Sequence, residues 1–410
     1  MTDYVPRLLD NVLPELLSNL TAVSLVGPRA CGKTTTAMRY ATSVVRLNRH
    51  DDATLFRADP SAALDRLEPP VLLDEWQEVP EVLDAIKERV DTDPTPGRFI
   101  LTGSISAAIQ KTWAGTGRVT RIPTYPLTRR EINHCVESDS FLDRVARNAL
   151  DQLPPGPAAT ITDYIAMAAQ GGLPESALRL QGRSRLAWLR GYLAELLSRD
   201  IATAGGDPDI TKLASYVDAM AAVSGCVVDE ATLLDASGIG RKTASRYQAL
   251  LESVFFTDRV PAWWSNRLTR LTALPKRFVI DTALLMTVLR VSDDTVLKDS
   301  HLLGRILETF VAMQIRPELP LCDTQPSWHH LRDHGGRHEV DFVLEYGQGR
   351  LVGLEVKAGA APDISDARHL IWLRDQIGDA FLCGVVLHTG KYSFRLSDRI
   401  YAAPISTIWA

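Results

Sequence analysis

Apolar residues follow two rhythms along this chain, and the change from one to the other marks out its elements. Short apolar runs at residues 21–26, 71–73 and 98–102, bounded by Gly, Pro or charged residues, predict buried parallel strands. From 160 to 201 the apolar positions recur at spacings of three and four, interrupted by Gly171-Gly172-Leu173-Pro174, which predicts two helices with a break between them. Gly205-Gly206-Asp207-Pro208 then punctuates the chain. Three helical patterns follow at 210–222, 230–236 and 241–252, the last two joined by the glycine turn Ser237-Gly238-Ile239-Gly240, as in a helix-turn-helix. Two strands expected at 253–256 and 260–264 supply a wing. Further on, 302–318 reads as an amphipathic helix, and 338–344 and 351–357 as a hairpin closed by a Gly-rich turn at 347–349.

A chain of 410 residues exceeds what a single core usually supports, so two or three domains are expected. With 45% hydrophobic and 23% charged residues and a net charge of −5, general disorder is excluded. No apolar run approaches the ~20 residues that cross a bilayer. Residues 1–19 mix Asp3, Arg7, Asp10 and Glu15 with apolar positions and lack the basic start and small-residue cleavage site of a signal peptide, so a cytoplasmic protein without a membrane partner is expected. Five scattered cysteines without a CxxC pair argue against a disulfide framework or a cysteine zinc site.

The first predicted strand runs straight into Gly27-Pro28-Arg29-Ala30-Cys31-Gly32-Lys33-Thr34-Thr35, a full GxxxxGK[ST] match. In that pattern the glycines fold the backbone tightly so that successive N–H groups face phosphate oxygens. Lys33 reaches the β- and γ-phosphates, and the Thr34 hydroxyl ligates Mg2+. The second strand ends in Asp74-Glu75, where Asp74 is placed to hold the Mg2+ shell and Glu75 to orient and deprotonate the attacking water. Strand, loop, helix and acidic strand end in this order point to ATP as ligand and Mg2+ as cofactor. The third strand ends in Thr102-Gly103-Ser104, a candidate sensor of the γ-phosphate, with an ordinary turn as the alternative. Arg118 and Arg121 offer a finger for a neighbouring subunit's nucleotide, or a solvated basic loop.

Between Gly238 and Arg277 there are eight lysines and arginines (241, 242, 246, 259, 267, 270, 276, 277) against two acids (252, 258), in a chain that is acidic overall. Arg241, Lys242, Thr243 and Arg246 open the second helix of the turn motif, the footprint expected for phosphate contact with DNA or RNA. In the hairpin, Asp341 lies on one strand, and Glu355 and Lys357, two residues apart on the next, share a face. Two carboxylates and a lysine meet the needs of metal-assisted phosphodiester hydrolysis: Asp341 and Glu355 would ligate a second Mg2+ or a Mn2+, Lys357 would help activate hydroxide, and Glu308 would complete the site from the helix.

Taken together, Gly27 to Thr34, Leu73-Asp74-Glu75 with Gln77, Leu101-Thr102-Gly103-Ser104, Gly117-Arg118, Gly171-Gly172-Leu173-Pro174-Glu175, Ser198-Arg199-Asp200-Ile201, residues 275–281, Glu339-Val340-Asp341-Phe342, Glu355-Val356-Lys357 and Pro404-Ile405-Ser406 resemble the prokaryotic AAA-type ATPases that carry a winged helix and a C-terminal domain of unknown function related to the PD-(D/E)xK nuclease superfamily. The resemblance covers nearly the whole chain. It implies an α/β protein with a P-loop ATPase domain and helical lid at 1–205, a winged helix at 206–285 and a nuclease-like α/β domain at 286–410. It also implies the usual roles for Lys33, Thr34, Asp74 and Glu75, and a homo-oligomer in which Arg118, Arg121 or Arg199 acts in trans. The expected function is an ATPase that binds DNA or RNA, its nucleotide state controlling the nuclease-like domain. The competing expectation is a switch whose accessory domains dock a protein partner without cutting nucleic acid.

Overall fold

The computed structural model describes residues 4–104, 116–148, 156–203, 208–264, 273–333 and 335–410. Strands β1 (Ala22–Val26), β2 (Ser43–Arg46), β3 (Val71–Asp74), β4 (Phe99–Gly103) and β5 (Thr120–Pro123) form a wholly parallel sheet in the order β2-β3-β4-β1-β5. The central strands β1, β3 and β4 are buried along their full length, which is why each appears in the sequence as a continuous apolar run. Helix α1 (Leu13–Asn19) packs on one face through Leu13 and Leu17, in a cluster that also holds Ala37 of α2 (Lys33–Ala37). Phe56 of α3 (His50–Ala58) and Leu83 and Ile86 of α4 (Val82–Thr92) cover the other face. Because β4 lies between β1 and β3, Thr102 pairs with Asp74, and Gly103 pairs with Val26 at the edge of the P-loop.

The helical segment expected at 160–201 is observed as α5 (Ile161–Gln170) and α6 (Gly182–Glu195), with a wide helical turn at Glu175–Arg179 and another at Leu196–Asp200. Helix α5 stops at Gly171, whose φ of 68° is open to glycine at little cost. Gly172 follows in a space too tight for any side chain, since a Cβ there would lie 2.2 Å from the Leu127 carbonyl oxygen.

Helices α7 (Ile210–Ala222), α8 (Glu230–Ser237) and α9 (Arg241–Ser253) occur where the periodicity places them. The wing strands do not. Residue 253 still belongs to α9, and the antiparallel pair is β6 (Thr257–Val260) with β7 (Lys276–Val279). Trp263 and Trp264 fall outside both strands. The apolar run at 253–256 is buried helix end and turn, which a short window cannot tell from a strand. Arg267 and Arg270, counted in the basic cluster, lie outside the described residues.

Helix α10 (Thr282–Leu289) leads to α11 (Ser300–Ile315) and to a six-stranded mixed sheet in the order β12-β13-β11-β10-β9-β8. Its strands are β8 (Ser327–Arg332), β9 (Glu339–Tyr346), β10 (Arg350–Lys357), β11 (Phe381–His388), β12 (Phe394–Ser397) and β13 (Ile400–Pro404). Helix α11 packs on one face and α12 (Arg368–Ile377) on the other. A single apolar cluster runs from Phe141 through α5, α7, α9, α10 and α11 to Trp409, so the lid, the middle helices and this sheet share one buried core. Among the described residues no helix is long and apolar enough to cross a membrane.

Candidate functional site

The loop after β1 carries two left-handed residues, Ala30 at φ 58° and Gly32 at φ 100°, the kind of backbone from which anion-binding nests are built. A Cβ on Gly27 would lie 1.9 Å from the Thr124 carbonyl oxygen, so only glycine fits there. The buried Lys33 Nζ donates to the carbonyls of Gly27 at 3.0 Å and Pro28 at 2.7 Å. Asp74 Oδ1 accepts two hydroxyls, from Thr34 at 2.6 Å and Thr102 at 2.5 Å. The predicted Mg2+-holding pair is thus assembled in contact, and an oxygen-rich pair of this kind suits a hard cation. Glu75 sits beside it at φ 55°, a conformation that costs a non-glycine residue about 1–3 kcal/mol and clusters at functional sites. Its carboxylate accepts from Ser104 Oγ at 3.1 Å and from Gln77 Nε2.

Neighbouring elements close over this loop. Arg29 reaches Asp200 of the lid at 3.2 Å, and the Tyr192 hydroxyl donates to the Arg29 carbonyl at 3.2 Å. Burial raises the Asp200 pKa, with Arg29 and Arg199 opposing the rise. From the N-terminal segment, Arg7 donates to Glu131 (2.8 Å), to the Cys31 carbonyl (2.9 Å) and to the Tyr125 carbonyl (2.8 Å), pinning the loop from outside. Thr35 is exposed at the loop's end, beside a cleft of about 180 Å³ lined by Tyr4, Arg7, Gly32, Thr36, Leu127 and Pro174, among others. Arg118 lies at the opposite, amino edge of the sheet, since Thr120 pairs with Val23, and it is bound to Asp91 at 2.6 Å. A role for Arg118 at a phosphate therefore requires a second copy of the chain.

The hairpin residues meet a partner that the sequence did not suggest. The fully buried Lys276 of β7 places Nζ 2.5 Å from Glu308, 3.3 Å from Asp341 and 3.5 Å from Glu339. Burial works against the lysine's charge, but these three carboxylates outweigh it and hold its pKa above the usual lysine value. Burial and the Asp341 charge push Glu308 up to about 8 despite Lys276. Asp341 Oδ2 accepts the Val356 N–H at 2.9 Å, just beyond the last β9–β10 pair, Leu354 with Phe342. Glu355 bonds Lys357 through Oε2 at 3.2 Å while its buried Oε1 has no hydrogen-bond partner, and burial followed by Asp341 raises its pKa well above the carboxylate range. The expected second metal is not supported: among the described residues no group of three or more His, Cys, Asp or Glu side chains is arranged to hold an ion.

On α9, Arg241, Lys242 and Arg246 are exposed and Thr243 is half-buried, with Arg241 3.3 Å from Glu230 of α8. The basic surface is smaller than the residue count predicts. Lys276 is engaged by the internal acids, and Arg277 is half-buried against Gln248, its pKa lowered by burial.

Residues 19–133 match the AAA domain family. The matched span takes in the P-loop, the Asp74-Glu75 strand end and the parallel sheet that carries them, and is similar to an AAA-type P-loop ATPase domain. Residues 161–295 and 303–408 match two domains of unknown function, DUF8612 and DUF4143. Over 403 residues, 97% of this chain and 82% of theirs, the chain is 27% identical to uncharacterized proteins of Mycobacterium tuberculosis (Rv2008c) and Mycobacterium bovis (Mb2031c). The Walker-type ATPase PABY2304 of Pyrococcus abyssi superposes with a TM-score of 0.40 and 14% identity, covering 68% of this chain and 94% of that one.

Motif reading picked out Gln77 and Asp200 without a role; the structure puts Gln77 on Glu75 and Asp200 on Arg29, 171 positions away in the chain. Arg7, which belongs to no motif, reaches the P-loop at Cys31, 24 positions away. Lys276 had one usable signal, a lysine at the start of the apolar run Phe278-Val279-Ile280, where a buried cation needs acids around it.

Proposed function

We propose that this chain is a Mg2+-dependent ATPase whose nucleotide state is passed through the helical lid to a nucleic-acid-binding winged helix and a nuclease-like C-terminal domain. The observation that carries the ATPase part is Asp74 Oδ1 receiving Thr34 and Thr102 together. Thr34 and Asp74 would hold Mg2+, which when bound neutralises phosphate charge. The loop N–H groups bind and orient the phosphates. Lys33, held by two carbonyls of its own loop, would exchange them for phosphate oxygens. Glu75, steadied by Ser104 and Gln77, accepts the proton of the attacking water.

The order of three helices followed by the β6–β7 hairpin supports the winged-helix reading, and the exposed basic residues of α9 support contact with DNA or RNA. Arg118, Arg121 or Arg199 acting on a neighbour's nucleotide would make the active form an oligomer. A second reading, an ATP-driven switch that docks a protein partner and does not cut nucleic acid, is favoured by Lys276 standing among the acids of the nuclease-like site.

The test is ATP hydrolysis with and without DNA or RNA, following strand cleavage with Mg2+ and Mn2+ in the same reactions, alongside Glu75→Gln and Lys357→Ala. Stimulation by nucleic acid, with cleavage lost in Lys357→Ala, establishes an ATP-controlled nuclease. Hydrolysis indifferent to nucleic acid, without cutting, establishes the switch.

A further inference from the structure

Lys276 belongs to the middle of the chain, yet its ammonium group ends inside a cluster contributed by the C-terminal part: Glu308 of α11 and Glu339 and Asp341 of β9. A buried ammonium is tolerated only where acids surround it. The three carboxylate oxygens lie 2.5, 3.5 and 3.3 Å from Nζ. A divalent ion bound by the same side chains would lie about 2.0–2.6 Å from each oxygen. Nζ therefore fills the space between the three carboxylates, and two of their oxygens stand too far from that point to ligate metal as they are. Next to this cluster, Glu355 is 2% exposed, and its Oε1 is buried without a hydrogen-bond partner. Of the cations that meet these acids, Lys357 lies 3.2 Å from Glu355 and Arg332 3.8 Å from Glu339, both toward the outside, and Lys276 is the one within reach of Glu308, Glu339 and Asp341 together.

We infer that the Lys276 ammonium is a built-in counter-ion that keeps divalent metal out of the Glu308, Glu339 and Asp341 cluster, and that withdrawing it opens a Mg2+ or Mn2+ site there. The inference rests on the nuclease-like reading of the C-terminal domain and adds a condition to it: metal binds only when β7 is displaced. The strand has a route to the nucleotide. Asp281, just beyond β7, accepts the Gly172 N–H of the lid at 2.7 Å, and the lid reaches the P-loop through Asp200 and Arg29.

The experiment is Mn2+ binding by the full-length, nucleotide-free protein, read from the electron paramagnetic resonance signal of free Mn2+. Wild type binds no Mn2+ that Asp341→Asn removes, whereas Lys276→Met gains a site about tenfold or more tighter than any wild-type background, and Lys276→Met/Asp341→Asn loses it again. If Lys276→Met does not fold, Lys276→Gln, which removes the charge but keeps a donor for the surrounding acids, reads the same three-acid site. Wild type binding Mn2+ as tightly as the Lys276 variant, in an Asp341-dependent way, overturns the counter-ion role and leaves the metal-site reading standing. A folded Lys276 variant that binds no Mn2+ overturns both.

Discussion

The ammonium group of Lys276 lies 2.5 Å from a carboxylate oxygen of Glu308, joining a strand of the middle segment to a helix of the C-terminal part inside one buried core. Removing one member of a buried pair leaves an uncompensated charge, which costs about 3–5 kcal/mol. Lys276→Met is expected to lower stability by that amount in urea unfolding. Glu308→Gln is expected to cost less, because Asp341 and Glu339 still surround the lysine.

Thr102→Val deletes a hydroxyl 2.5 Å from Asp74 while keeping the shape of the strand end. A hydrogen bond to a carboxylate contributes about 1.5–3 kcal/mol. Steady-state ATP turnover is expected to fall roughly ten- to a hundredfold, with nucleotide affinity changing less. Lys33→Ala should abolish binding, measured by displacement of a fluorescent ATP analogue.

Asp281 is fully buried and accepts three backbone N–H groups, from Gly172 (2.7 Å), Ala283 (2.9 Å) and Leu284 (3.1 Å). Asp281→Ala strands all three, at about 1–3 kcal/mol for each buried donor left unpaired. The expected result is a marked fall in melting temperature. Asp281→Asn, which retains an acceptor oxygen, should recover part of it.

His330 is buried, and its Nε2–H donates to the Leu274 carbonyl at 3.0 Å. Burial, followed by the charge of Lys276, lowers its pKa to about 3. The unfolded chain takes up this proton below the ordinary value of about 6.5, while the folded chain refuses it until about 3. Stability from this group is therefore complete above pH 6.5 and is lost as pH falls toward 3. The loss is on the order of a few kcal/mol, and His330→Gln is expected to flatten that part of the stability–pH curve.

The exposed side chains of α9 predict binding to nucleic acid that weakens with salt. Replacing Arg241, Lys242 and Arg246 with Glu should collapse affinity in fluorescence anisotropy, and the salt slope should fall by about one for each phosphate that is no longer neutralised. Affinity that is undetectable before and after the change would favour the protein-docking switch.

Legibility differed between contiguous segments and the middle of the chain for a physical reason. The P-loop and the Asp74-Glu75 strand end are read from sequence because each is a contiguous segment whose spacing is itself the signal. The hairpin at 339–357 was legible for the same reason, since alternation along strands decides which side chains share a face. The wing strands were misplaced because four residues at 253–256 fit a buried helix end as well as a strand.

The sequence by itself determined the local units: the glycine-bearing loop after β1, the acidic strand ends, the helices of 161–200, and the basic residues opening α9. Tertiary structure alone decided which units meet. Lys276 lies 32 residues from Glu308 and 65 from Asp341, and no spacing rule links them. They are brought together because the apolar faces of α10, α11 and the C-terminal sheet bury against one another as one core, and the ammonium carried inside that core must find its counter-charges there.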